Sequence, residues 1–212
     1  MGIHQAVIGG YSYSPVGDNW EVANYNVGFF TIPESSLQAN DLIFFVLGSD
    51  ISQPSLETDI STTTLIDTTI NSIEVLIKYA VVPSTPNDID GFTDCDYAMT
   101  MGFRRSGSTS ATYNISVEAT NTTLTSPSHN NTSVAFSQDD LALLLAFVDD
   151  DFTAMTPPTD STKIGESSSS GGSLGSAYKQ IDTAGNYSWG SWTTSGTDST
   201  VAYVIKIQEY DS

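Results

Sequence analysis

The stretch Asp41-Leu42-Ile43-Phe44-Phe45-Val46-Leu47 returns as Asp140-Leu141-Ala142-Leu143-Leu144-Leu145-Ala146, 99 positions later. Each copy is a short apolar run entered through an acidic step (Asn40-Asp41, Asp139-Asp140) and left through another (Ser49-Asp50, Asp149-Asp150-Asp151). A run of this length bounded by polar steps fits a strand buried on both faces. It is too short for a membrane-spanning helix, and no longer apolar run exists, so no membrane partner is expected.

Working outward, the same order of elements follows each copy. After the first, Ile73, Val75, Ile77, Tyr79 and Val81 alternate with polar residues and predict a strand. Tyr97, Met99, Met101 and Phe103 predict the next, and Tyr113, Ile115 and Val117 another. Residues 83–96 read as a polar loop and residues 120–133 as a Ser/Thr-rich connection between halves. After the second copy come Pro157-Pro158, a strand near 174–181 and a closing strand through Val201, Tyr203, Ile205 and Ile207. Tyr79 and Tyr178 each lie 38 residues after their leading aspartate, a second coincidence that favours duplication. Halves that each expose sheet edges are best satisfied by packing together. The expected fold is therefore all-β, a single β-sandwich, jelly-roll-like or Ig-like, with repeated halves at about 27–119 and 120–212. Residues 1–26 are expected to form N-terminal strands or a docking segment.

At 212 residues the chain can bury roughly 70% of its unfolded surface. Its Val, Ile, Thr, Tyr and Phe suit pleated sheet better than helix. The formal charge of −19, from 25 acidic and six basic residues, predicts an acidic solvated surface. Polyanion binding needs Lys and Arg to neutralise phosphates, and Arg104-Arg105 is the single adjacent basic pair, so no nucleic-acid partner is expected. Cys95 is alone, which precludes an intrachain disulfide. Residues 1–10 lack the basic and apolar regions of a secretory signal, so synthesis in the cytoplasm without a targeting segment is expected. Asn-x-Ser/Thr matches such as those at Asn114, Asn121, Asn131 and Asn186 are what chance gives in so Asn/Ser/Thr-rich a chain.

The order of these elements resembles a family of β-sandwich virion proteins of tailed phages and related viruses. It is carried by the acidic-Leu-apolar strand, the proline turn, the middle strand with Tyr79, Ala98-Met99-Thr100-Met101-Gly102-Phe103-Arg104-Arg105, the Ser/Thr-rich crossover and Asp139-Asp140-Leu141-Ala142-Leu143-Leu144-Leu145-Ala146-Phe147. It covers roughly residues 26–208 and departs where members often place Gly-Trp after the proline turn: here Pro54 precedes Ser-Leu-Glu-Thr and Pro157-Pro158 precedes Thr-Asp-Ser. The resemblance implies a non-enzymatic structural role in the virion, other capsid or tail proteins as partners, and a homo-oligomer such as a trimer. It supplies no catalytic residues.

Four groups of residues could carry chemistry. Gly171-Gly172-Ser173-Leu174-Gly175 matches a hydrolase nucleophile elbow, but it follows a serine run, no helix pattern follows it, and neither His4 nor His129 lies downstream as the base would. A hairpin loop is the plainer reading. Asp88 and Asp90, and Asp149 and Asp151, could bind calcium, against the plainer reading of solvated turns. An EF-hand is excluded, because that register puts Pro86 first and Tyr97 twelfth. Tyr187, Trp189 and Trp192 could stack on a host-surface glycan, although the odd spacing of the two tryptophans points them to opposite faces of one regular strand. Core packing is the plainer reading for them. His4 and His129 have no Cys or His neighbours, which argues against zinc, and nothing selects a glycosidase carboxylate pair.

The expectation is a virion protein, made in the host cytoplasm and displayed outside a tailed virus particle as a head decoration or spike. The alternative is a tail-fibre or tail-tip protein whose sandwich binds carbohydrate. On the exterior a charge of −19 aids solubility, whereas packaged DNA would repel it.

Overall fold

Both apolar runs fold as eight-residue strands with every residue buried. The structure, a computed structural model, describes residues 20–27, 30–32, 34–85, 89–105, 112–123, 126–129, 133–150, 154–195 and 198–210. The first half runs through β1 (Trp20–Val27), β2 (Phe30–Ile32), a 3-10 turn at Glu34–Ser36, β3 (Leu42–Ser49) and β4 (Ser55–Thr58). It continues through β5 (Thr63–Ile70), β6 (Ile73–Val81), β7 (Ile89–Asp94) and β8 (Tyr97–Arg105). The second half runs through β9 (Thr112–Thr123), β10 (Val134–Phe136), β11 (Leu141–Val148), β12 (Met155–Thr156) and β13 (Thr162–Ser169). It closes with β14 (Gly172–Gln180), β15 (Gly185–Tyr187), β16 (Thr193–Thr194) and β17 (Thr200–Tyr210).

The strand orders are β1-β8-β3-β6-β5 in one five-stranded sheet and β9-β17-β11-β14-β13 in the other, the same order strand for strand. Register repeats too: Phe44 faces Tyr79 as Leu143 faces Tyr178, and bulges interrupt the pairing at Thr64/Ile66 and at Lys163/Gly165. The 99-residue spacing ends after β14. Phe103 lies opposite Leu42 and Ile207 opposite Leu141, so the second half carries five extra residues before its last strand.

The acidic steps are identical turns. Asn40 and Asp139 have φ of 71° and 70°, the left-handed region that Asn and Asp enter most readily. Asp41 Oδ2 accepts the Gln38 N–H at 2.8 Å and Asp140 Oδ2 the Ser137 N–H at 2.7 Å, closing each turn over its own backbone. The next strand then locks on: Val82 N–H donates to Asp41 O and Ile181 N–H to Asp140 O.

Two-sided burial follows from four layers. Leu42, Phe44 and Val46 meet Leu141, Leu143, Leu145 and Phe147 in a central core between the two large sheets. Alternate residues point away from it: Ile43, Phe45 and Leu47 into an outer core with Ile32 and Ile89, and Ala142, Leu144 and Ala146 into one with Phe136, Trp189 and Trp192. Short strands roof these outer cores, β2-β7-β4 in the first half and the pairs β10-β15 and β12-β16 in the second. The halves also exchange equivalent bonds. Trp20 Nε1–H donates to Asp139 O at 2.9 Å and Tyr113 O–H to Asn40 O at 2.6 Å, and these side chains occupy matching places in β1 and β9. Arg105 pairs with Glu209, its own counterpart, at 2.8 Å. This reciprocity is that of a two-fold interface built within one chain.

The fold is thus an all-β sandwich of two repeated halves, and two details differ from the expectation. Residues 83–96 hold a strand, β7, where a loop was expected, because Ile89-Asp90-Gly91-Phe92 breaks the period-two pattern. The expected division at 119/120 falls inside β9, whose Asn and Thr residues read as a connection although they alternate along a half-exposed edge. Residues 20–26 belong to edge strand β1, one of the two alternatives expected for residues 1–26, and residues 1–19 lie outside the described residues.

Candidate functional site

The chemistry-bearing side chains gather in two places. The first is the end of the sandwich where β3 and β11 both finish. Ser49 Oγ donates to Asp96 Oδ2 at 2.5 Å, and the Asp50 N–H donates to the same oxygen at 3.1 Å. Burial raises the Asp50 carboxyl above its ordinary range, aided by a hydrogen bond to Asp96 and by that residue's charge. Burial also raises Asp149, with further contributions from Asp198, Asp50 and Asp150. Asp50 and Asp149 are counterparts 99 residues apart, so the duplication itself brings like charges together.

Tyr97 closes this end from inside. A Cβ at Gly48 would lie 2.1 Å from its ring and one at Gly172, where φ is 141°, 2.5 Å, so glycine at both places is a packing requirement. Its hydroxyl is buried with no hydrogen-bond partner among the described residues, and burial first, then Asp149, Asp96 and Asp50, disfavour the phenolate. Removing an unpaired buried hydroxyl relieves a desolvation cost. Tyr97→Phe is therefore expected to leave stability unchanged or raise it by about 1 kcal/mol in urea unfolding. A loss of that size would mean that the hydroxyl makes a bond in solution.

The calcium candidates Asp88 with Asp90 and Asp149 with Asp151 are described only in part. Asp88 and Asp151 lie outside the described residues, and Asp90 sits within β7, away from Asp149 in sequence and sheet. Among the described residues no group of three or more His, Cys, Asp or Glu is arranged to hold a metal.

The second gathering is the outer core of the second half. Trp189 is 4% exposed and Trp192 1%. Phe136 meets Tyr187 and Trp189 edge-on, with centroids 6.0 and 5.7 Å away, and Tyr187 stacks on Trp189 at 6.1 Å. Trp192 Nε1–H donates to His129 Nε2 at 3.1 Å. The plainer reading, core packing, fits the tryptophans: both lie against the buried face of a sheet, and of the three glycan candidates only Tyr187 remains half-exposed. They do not alternate within one strand, because they lie in the segment 188–192 that separates β15 from β16.

Ser170 and Gly171 make the turn between β13 and β14, and Ser173, the second residue of β14, donates from its Oγ to Asp150 O at 3.0 Å. Strand follows the serine where a nucleophile elbow needs a helix, so the hairpin reading holds. His129 is engaged with Trp192, and His4 lies outside the described residues. The basic pair is also turned inward. Arg104 grips Asp41 through two bonds of 2.8 and 2.6 Å, and Arg105 holds the buried carboxylate of Glu209.

Compared with known protein families, curated proteins and solved structures, the chain finds no match.

Proposed function

We propose that this is a non-enzymatic structural protein of a tailed virus particle, displayed on its exterior as a head decoration or spike. One observation supports the reading above others: the described side chains with chemical capacity serve as structural joints. Asp41 and Asp140 close turns, Arg104 and Arg105 tie internal carboxylates, Ser173 fastens a loop, and Trp192 and His129 bond to each other. What faces solvent is acidic, which suits an outer surface and opposes contact with packaged DNA. Partners in this reading are other capsid or tail proteins, with further copies of the chain in an oligomer such as a trimer.

Purified particles test it. Mass spectrometry is expected to find the protein in washed virions, and antibodies are expected to label intact ones. Absence from particles, or labelling only after the genome is released, would overturn the proposal. A glycan array decides against the tail-tip alternative if nothing binds; binding abolished by Tyr187→Ala would favour it.

The charge balance adds an expected result. Among the described residues four of the six basic side chains are already in ion pairs, so most carboxylates have no cation nearby. Screening their repulsion should raise Tm steadily as NaCl increases from about 0.01 to about 1 M. A falling Tm would show that the ion pairs outweigh the repulsion.

A further inference from the structure

We infer that the bond between His129 and Trp192 is an acid-released latch on the outer layer of the second half. Among the described residues the first half has no counterpart to it. There β7 runs unbroken and pairs with β2 and β4 together, whereas in the second half that strand is split into β15 and β16. The segment between them carries Trp189 and Trp192, and residues 126–129 clip it down. Trp192 N–H donates to Pro127 O at 2.8 Å, His129 N–H to Gly190 O at 3.2 Å, and Ser128 bridges Ser191. The clip is tied back to β9 by Asn121, whose Nδ2 donates to Ser128 O at 2.8 Å.

The imidazole is the one titratable link in this clip. Its Nε2 accepts the indole hydrogen, so the ring is neutral with its own proton on Nδ1. Protonation at Nε2 removes the acceptor, sets two N–H groups against each other and places a cation beside an apolar core. Around that core, β9 carries Glu118, β13 Lys163 and Glu166, β14 Lys179 and β17 Lys206, while Tyr187 ends β15 and Asp149 and Asp198 lie near neighbouring strand ends. Glu118 pairs with Lys206 and Glu166 with Lys163. None of these offsets the loss: burial alone takes the imidazole from its ordinary 6.5 down to about 4.

The sign follows from linkage. An open segment takes up the proton at the ordinary value and the closed one only near 4, so closure is at full strength above 6.5 and weakens as pH falls. Between neutral pH and 4 the opening equilibrium should rise by about 100-fold, the full two and a half decades between those values being reached only below pH 4. Opening uncovers Trp189 and Trp192 and leaves the large sheets paired. The raised carboxyls of Asp50 and Asp149 work in the opposite direction, since they favour the folded state as pH falls, so a local readout is required.

Hydrogen exchange by mass spectrometry on the full chain, corrected for the intrinsic pH dependence of exchange, supplies it. Protection over residues 126–129 and 188–192 should collapse between pH 7 and 4, reversibly and ahead of β11, with tryptophan emission shifting to the red. His129→Gln, which offers the indole a carbonyl that takes up no proton in this range, should hold the segment closed throughout. His129→Phe, which offers no acceptor, should show a pH-independent protection. Unchanged protection in the native protein, or the same pH dependence in either variant, would overturn the latch.

Discussion

Asp41→Ala is expected to cost about 3–5 kcal/mol in equilibrium unfolding, and Asp140→Ala only about 1–3 kcal/mol. The two aspartates occupy the same turn in the two halves and accept the same backbone N–H three residues upstream. Their second partners differ. Asp41 is 2% exposed and takes two charge-assisted bonds from Arg104, whereas Asp140 receives bonds of 3.2 Å from the neutral amide of Gln208. Truncating Asp41 leaves the Arg104 guanidinium with Glu21 at 3.4 Å and the Ser36 carbonyl, a poor exchange for a half-buried cation. Truncating Asp140 strands no charge. Arg104→Gln copies the pairing of the second half and should cost less than Asp41→Ala. Equal losses at Asp41 and Asp140 would mean that the turn alone matters.

Trp192→Ala should cost a similar amount, about 3–5 kcal/mol, for different reasons. Its ring fills the space over Gly175, where a Cβ would come within 2.8 Å of the ring and 3.1 Å of Met155, and truncation leaves both a cavity and a buried His129 without its donor. Gly175→Ala approaches the same site from the other side and should cost about 1–3 kcal/mol by overpacking. Thermal and urea unfolding of the two variants check this. Were Trp192 a ligand platform, its alanine variant would keep its stability and lose only binding.

The repeat could be read in the sequence because its marks are local. An acidic step before a seven-residue apolar run, and a tyrosine at constant distance, survive duplication without help from the rest of the fold. The outer layers were hidden for the opposite reason. Strands of two to six residues such as β7, β12 and β16 complete no period of alternation, and they are held by the cores beneath them. Both tryptophans are buried, though their odd spacing points them to opposite faces of one regular strand, because in a four-layer structure both faces of a central sheet are covered. A residue on the far side of β11 and β14 meets a second core instead of solvent. The acidic end was half legible: Asp149-Asp150-Asp151 stood out as a run, but Asp50 and Asp96 join it only through the pairing of β3 with β8 and the two-fold relation of the halves.

Native-state hydrogen exchange of the β3 and β11 amides tests the central claim, that two equivalent halves share one core. Both strands lie at the centre of their sheets with no exposed residue, and both send alternate side chains into the same central layer. Their amides should therefore exchange only through global unfolding, with equal opening free energies and equal denaturant dependence. Exchange from one strand at a free energy several kcal/mol below the other would show that the halves unfold separately, and would contradict the account.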